Sequence, residues 1–116
     1  MNIEELHQYL LSKKAVEDCF PFDAETLVFK VAGKMFALLP LERFPRTVNL
    51  KCDPDYAQEL RGEYDAIQPG FHMNKKHWNT IEYEAIDPKL FKELIDHSYD
   101  LVVAGLTKKQ KDLFGF

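Results

Sequence analysis

The chain has 116 residues, of which 46% are hydrophobic and 29% charged, and it carries a net charge of −4. This size predicts one globular domain over residues 1–116, and the negative charge excludes nucleic-acid binding through overall basicity, so any such role needs a local basic patch. No apolar run is long enough to cross a membrane and the N-terminus is acidic, unlike a signal peptide, so we expect a cytoplasmic protein. We also expect a monomer.

The first half of the chain predicts a helix, a hairpin and a third strand. Asn2 can cap the helix, because Glu5 completes a capping-box pattern. After an extended linker at 20–23, residues 27–32 and 35–39 are strand-like and are joined by a turn at Gly33-Lys34. Residues 47–52 alternate between polar and apolar, which turns Lys51 outward from the third strand.

A second helix and a second hairpin follow. Asp53 and Pro54 start the helix, and its apolar spacing continues to Ile67. Residues 71–85 then predict a hairpin whose tip is Asn74-Lys75-Lys76.

The last long helix starts at Asp87-Pro88 and ends at Gly105. Ser98 either caps a second segment after a kink or bonds back within the helix. The apolar residues of the tail after Lys111 suggest that it docks onto the domain.

The order of elements predicts an α+β fold, with an antiparallel β-sheet covered by helices on one face. Such a sheet can leave its other face in contact with water.

Residues 71–80 are the most distinctive stretch, since they hold the only tryptophan, two of the four histidines and two adjacent lysines. Alternation back from Ile81 places Trp78 on the polar face of its strand, where we expect an exposed ring. Basic and amide side chains beside an exposed aromatic ring are the ingredients of single-strand binding. The candidates for this open face are Lys30, Asn49, Lys51, His72, Trp78 and Thr80.

Each of these residues also has a structural interpretation. Trp78 can cap the edge of a core instead of stacking on a base. The lysines of the two turns, Lys34 in one and Lys75 and Lys76 in the other, can contact phosphates or simply keep the turns soluble and unpaired. Lys51 needs a partner, which is either Glu82 or an anion.

Nothing in the sequence predicts a metal, a cofactor or a catalytic residue. His72 and His77 are five residues apart and lack the cysteine or carboxylate partners of an ordinary zinc site. Cys19 and Cys52 have no paired-motif spacing, so we expect reduced thiols.

Four segments together resemble the MmcQ/YjbR family in order and spacing along nearly the whole chain. They are Gly33-Lys34-Met35-Phe36-Ala37, Leu50-Lys51-Cys52-Asp53-Pro54, the run from Pro69 to Asn79, and Asp96-His97-Ser98-Tyr99-Asp100-Leu101-Val102. The resemblance implies a single MmcQ/YjbR-like domain with a frataxin-like (CyaY-like) fold and a double-wing arrangement for DNA binding. The two wings would be the turns at Gly33-Lys34 and at Asn74-Lys75-Lys76.

A frataxin-like fold also raises iron binding. The acidic residues available for it near the N-terminus are too sparse to predict an iron site: Glu4, Glu5, Glu17 and Asp18.

Three functions remain open. The first is a DNA-binding module with weak, salt-sensitive affinity, whose site residues are Lys34, Lys51, His72, Asn74, Lys75, Lys76, His77 and Trp78. The second is a protein-interaction or adaptor domain that uses the same face. The third is a small-ligand binder or enzyme with a pocket lined by His72, Lys51 and Trp78. The third is the weakest, because no acid/base pair accompanies it.

Overall fold

The computed structural model describes all of residues 1–116 and has the predicted α+β architecture. Its strands are β1 (Val16–Cys19), β2 (Thr26–Val31), β3 (Lys34–Pro40), β4 (Val48–Lys51), β5 (Ile67–Pro69) and β6 (Trp78–Ile81). Its helices are α1 (Ile3–Leu11), α2 (Pro54–Glu63), α3 (Pro88–Ala104) and α4 (Lys108–Phe114). The strands form one antiparallel sheet in the order β1-β2-β3-β4-β6-β5. No helix is both long and apolar enough to cross a bilayer.

The helix starts confirm the capping predictions. The Asn2 side chain accepts a hydrogen bond from the Glu5 N–H at 2.8 Å, and the Glu5 carboxylate accepts from the Asn2 N–H at 3.2 Å. The side chains of Asp53 and Asp87 cap α2 and α3 by accepting from the N–H groups of Tyr56 and Leu90, and each is followed by a proline. Each cap satisfies N–H groups that would otherwise lack a partner, a contribution of about 1 kcal/mol per helix.

The main core lies between the sheet and the first three helices. Leu6 and Leu10 of α1, Leu60 of α2, and Phe91 and Ile95 of α3 are all buried in it. The sheet contributes its alternate residues, and an irregularity in the pairing of β2 with β3 adds one more. This irregularity is a β-bulge, in which three residues of β3 lie opposite two residues of β2. As a result, the consecutive residues Phe36 and Ala37 are both buried on the helix-covered face.

The sequence missed two edge strands. Residues 16–19 form β1, although charged residues occupy its centre. Ile67 was predicted in the second helix, but that helix ends at Glu63 and Ile67 begins β5. The hairpin predicted at 71–85 is also different: a loop at 70–77 joins β5 to β6, and Tyr83–Ala85 forms one turn of 3-10 helix instead of continuing the strand.

Ser98 neither kinks α3 nor bonds back within it. The helix runs unbroken past it, and the buried hydroxyl donates to the Phe36 carbonyl at 2.6 Å and accepts from the Lys51 N–H at 2.9 Å. Ser98 therefore joins α3 to the two central strands.

The C-terminal tail docks in part: the Lys14 ammonium donates to the Gly115 carbonyl, while Leu113 stays 75% exposed.

Candidate functional site

The two basic turns lie at the same end of the sheet. The β2–β3 turn brings Val31 opposite Lys34, so β3 begins at that end. Because β4 runs antiparallel to β3, it finishes there at Lys51, and Lys51 pairs with Trp78 at the start of β6. Neighbouring strands are about 4.8 Å apart, which places β3 and β6 about 10 Å from each other. We call this end of the sheet, with Lys34, Lys51, Lys75 and Lys76, the basic end.

None of the four lysines at the basic end has a carboxylate within 4.0 Å. The ion pairs of the chain lie elsewhere, between His7 and Asp18, Lys13 and Asp96, and Arg46 and Glu84. The Lys75 ammonium bonds within its own loop, to the Gly70 carbonyl at 3.2 Å. Of the two partners considered for Lys51, Glu82 is therefore ruled out, because it follows β6 at the opposite end of the sheet.

Lys34, Lys51 and Trp78 line a shared depression of about 350 Å³, beside the C-terminus of α3 at Gly105. The last turn of α3 carries no basic residue of its own. The two lysines thus also place positive charge near the negative end of the helix dipole, which stabilises the fold by a few tenths of a kcal/mol at an exposed site. Lys51 is half-buried and Lys34 is exposed, so both ammonium groups stay within reach of a ligand in solvent.

Trp78 lies on the predicted face but is not exposed. Its pairing with Lys51 places it on the side of the sheet that the helices leave free, yet only 8% of its surface is accessible. Trp78 packs with Val28 and Leu38, and Met73 packs against that group. The prediction of an open ring is therefore wrong, and Trp78 cannot stack on a base.

The burial of Trp78 follows from the path of the 70–77 loop, which turns back across the free face. The Phe71 N–H donates to Thr80 Oγ1 at 2.9 Å, and Asn49 Nδ2 donates to the Phe71 carbonyl at 3.4 Å. Thr80 Oγ1 in turn donates to Asn49 Oδ1 at 2.6 Å. This network ties the start of the loop to two strands and brings Met73 over the indole. The alternation of residues along β6 predicts which face of the sheet Trp78 lies on, but the loop that crosses this face determines how much of the indole is exposed.

The end of the same loop is held by Arg61 of α2, a residue that sequence reasoning missed. Arg61 Nε donates to Asn79 Oδ1 at 2.6 Å, and its Nη2 donates to the carbonyls of Trp78, at 3.2 Å, and Lys75. The available signal was its position four residues after Ala57, inside the apolar stripe of α2, where a charged side chain needs partners.

Asn74 and His77, two of the predicted site residues, shape the loop. Asn74 Oδ1 accepts from the Lys76 N–H at 2.9 Å, and the Asn74 carbonyl accepts from the N–H of Trp78 at 3.0 Å. The His77 carbonyl accepts from the Cys52 N–H at 2.8 Å and so ties the loop to the chain after β4. Lys75 and Lys76 are thereby presented on a fixed turn.

His72 lies apart from the basic end, in a cleft on the free face. This open-face cleft encloses about 470 Å³, and its lining includes Phe22, Arg43, Asn49, Phe71 and His72. His72 is exposed and has a φ of +57°, a conformation that is uncommon outside glycine. The pocket predicted from His72, Lys51 and Trp78 is therefore divided between two places.

The surroundings of Cys52 and Asp23 shift the pKa values of their side chains. Burial raises the pKa of the Cys52 thiol to about 11, and both Cys52 and Cys19 are free thiols, as predicted. The N–H groups of Glu25 and Thr26 hold the pKa of the Asp23 carboxyl below its ordinary value. No three histidine, cysteine or acidic side chains come together in a metal-binding arrangement.

Comparison with known proteins places this geometry in a family. The family model YjbR matches residues 11–101. Uncharacterized protein YbdF of Escherichia coli O157:H7 is 43% identical over 97 residues, covering 83% of this chain and 80% of that protein. Uncharacterized protein YjbR of Escherichia coli strain K12 is 31% identical over 115 residues, covering 97% of each.

Solved structures agree with the sequence relatives. The crystal structure of Deinococcus radiodurans protein DR2400, a DUF419 domain, matches with a TM-score of 0.91 at 36% identity, covering 99% of this chain and 88% of that chain. A protein from Pseudomonas syringae matches with a TM-score of 0.75 at 28% identity, covering 87% of this chain and 98% of that chain. By sequence and by fold, the chain belongs to the YjbR family.

Proposed function

We propose that the protein binds nucleic acid, and specifically DNA, through the basic end of the sheet. One observation carries the proposal: four lysines from three separate parts of the chain share one end of the sheet, and none has a carboxylate within 4.0 Å. Lysines clustered at one end of a net-acidic protein form the kind of local basic patch that contacts phosphates.

The spacing suits a phosphate backbone. The turn at Lys34 leads into β3 and the loop at Lys75 leads into β6, and these two strands are about 10 Å apart, the width of two strand spacings. Successive phosphates advance about 3.4 Å per nucleotide along one DNA strand, so this distance corresponds to about three nucleotides. Lys51 lies between the two turns and is available to an intermediate phosphate.

The number of contacts limits the affinity. Four lysines neutralise at most four phosphates, which gives a salt slope of about −0.9 × 4, or roughly −3.6, for duplex DNA. The affinity then falls by roughly a hundredfold between 50 and 200 mM salt. The net charge of −4 adds a general repulsion. We therefore expect measurable binding only at low ionic strength.

The test is fluorescence anisotropy of labelled 12-nucleotide single- and double-stranded DNA, titrated with protein over a range of salt. The variant Lys34→Ala/Lys51→Ala/Lys75→Ala/Lys76→Ala is expected to lose binding and its salt dependence. The charge-matched control is Lys89→Glu/Lys92→Glu, which changes two exposed lysines in the first turns of α3, at the other end of that helix from the basic end. Both variants change the net charge from −4 to −8 (−4 − 4). Equal loss in the two variants, or no loss in the first, contradicts the proposal.

A further inference from the structure

The open-face cleft is not explained by phosphate binding at the basic end. Its volume of about 470 Å³ falls within the range of small-molecule sites. Its floor is apolar and includes Leu38 and Met35, while Phe22 and Phe71 come from separate loops. Phe22 is 66% exposed and Phe71 45% exposed. Exposed phenylalanines beside a cleft offer flat surfaces on which a planar ring can stack.

Charged groups of both signs border the same cleft. The Arg43 guanidinium lies over the Phe71 ring, 5.8 Å from its centroid, so its fork is held at the wall of the cleft. Asp23 lines the cleft as well, and only its Oδ1 is used within the chain, by the N–H groups of Glu25 and Thr26. Asp23 Oδ2 is therefore free to accept from a ligand.

A planar ring with a donor edge and an acceptor edge matches these groups. Guanine offers the acceptors O6 and N7, which an arginine fork contacts in pairs, and its N1–H and N2 amine are donors suited to a carboxylate. Adenine has an unprotonated N1 beside its amine, which a carboxylate repels. The pyrimidines are smaller and lack the N7 acceptor.

We propose that the open-face cleft takes a single guanine base, with its ring against Phe22 and Phe71 and its edges on Arg43 and Asp23. The inference rests on the proposed function in one respect, that the base comes from a strand held at the basic end. The 70–77 loop belongs to both places, since Phe71 lines the cleft and Lys75 and Lys76 stand at the basic end. A strand bound along this loop can leave its phosphates on the lysines and place one base in the cleft.

The experiment compares single-stranded thymidine octamers that carry one central guanine, adenine or cytosine, measured by anisotropy at low salt. We expect the guanine octamer to bind about tenfold more tightly than the others, within the range of discrimination of one paired base contact. Arg43→Gln and Asp23→Asn are expected to remove this preference. In Asp23→Asn the amide oxygen can still accept the two backbone N–H groups, so the loop is preserved. Glu42→Gln, beside Arg43 but outside the cleft lining, is the control and is expected to keep the preference.

Calorimetry with guanosine monophosphate identifies the source of the base. Saturable binding of the mononucleotide that is lost in Arg43→Gln, without any base preference among the octamers, supports the cleft as a site for a free nucleotide. Octamers that bind equally, together with no mononucleotide binding, overturn the inference. The four-lysine variant separates the two proposals, because it abolishes octamer binding whatever the central base, whereas the cleft variants change base preference alone.

Discussion

Replacing Gly70 by alanine tests how the 70–77 loop is seated on the sheet. Gly70 is buried, and its N–H donates to the Trp78 carbonyl at 2.8 Å, so the two backbones are held side by side. A Cβ at position 70 would lie 2.8 Å from Trp78 Cβ, 3.0 Å from the Trp78 carbonyl oxygen and 3.1 Å from Met73 Cβ. Carbon atoms prefer separations of about 3.5–4.0 Å, so the added methyl group is too close to both neighbouring Cβ atoms.

The cost follows from what must move. The Trp78 atoms concerned are backbone and Cβ, which cannot rotate away, so either the loop or the start of β6 must shift. Overpacking of this kind costs about 1–3 kcal/mol. With a urea m-value of about 2 kcal/mol per M, a loss of 2 kcal/mol lowers the unfolding midpoint by about 1 M. If the loop moves away from the sheet, the Trp78 ring becomes more exposed to solvent and its fluorescence emission shifts to longer wavelength.

Gly62→Ala is the matched control for this experiment. A Cβ at Gly62 would have no atom within 4 Å, and the residue lies in α2, where alanine stabilises a helix by about 0.5–1 kcal/mol relative to glycine. The two glycine-to-alanine changes should therefore move the free energy of unfolding in opposite directions. A Gly70→Ala protein within about 0.5 kcal/mol of the wild type, with unchanged emission, would refute the close packing described for this loop.

Three further predictions concern other parts of the fold. Ala32→Gly should raise the free energy of unfolding by up to about 1 kcal/mol in urea titrations, because Ala32 holds a left-handed φ of +49° in the β2–β3 turn; a decrease would contradict this. Ser98→Ala should lower the free energy of unfolding by about 1–3 kcal/mol, since the Phe36 carbonyl and the Lys51 N–H both lose a buried partner. Its control is Ser12→Ala on the surface, which should have little effect in the same urea titrations. Burial and the hydrogen bond to Asp96 raise the pKa of Tyr9 to about 12, so the native state holds this proton more tightly than the unfolded state does. The free energy of unfolding should therefore fall as the pH rises from about 10 towards 12. In Tyr9→Phe the urea midpoint should fall less steeply over this pH range, and an unchanged slope would count against this role of Tyr9.

Much of the fold could be predicted because its signals are local. The caps at Asn2, Asp53 and Asp87 depend on residues within one turn, and the central strands have apolar periods that match their burial. The edge strands failed for physical reasons. β1 has charged residues at its centre, as edge strands often do, and Ile67 stands seven residues after Leu60 and so also fits a helical stripe.

The candidate site was less predictable because it depends on contacts between distant segments. Antiparallel connections bring Lys34, Lys51 and the 74–76 segment to one end of the sheet. The burial of Trp78 depends instead on hydrogen bonds that Asn49 and Thr80 make across the sheet, which no local period encodes. The open-face cleft likewise combines three loops that are remote in sequence.

The two outermost strands carry a consequence for behaviour at high concentration. Along one margin, β1 presents Glu17 and Asp18 to solvent; along the other, β5 is three residues long and ends at Pro69, which has no N–H to donate. Acidic side chains and proline at such margins discourage another molecule from adding its own strand. We therefore expect this sheet to resist fibril formation, even though its interior strands are rich in valine, leucine and phenylalanine.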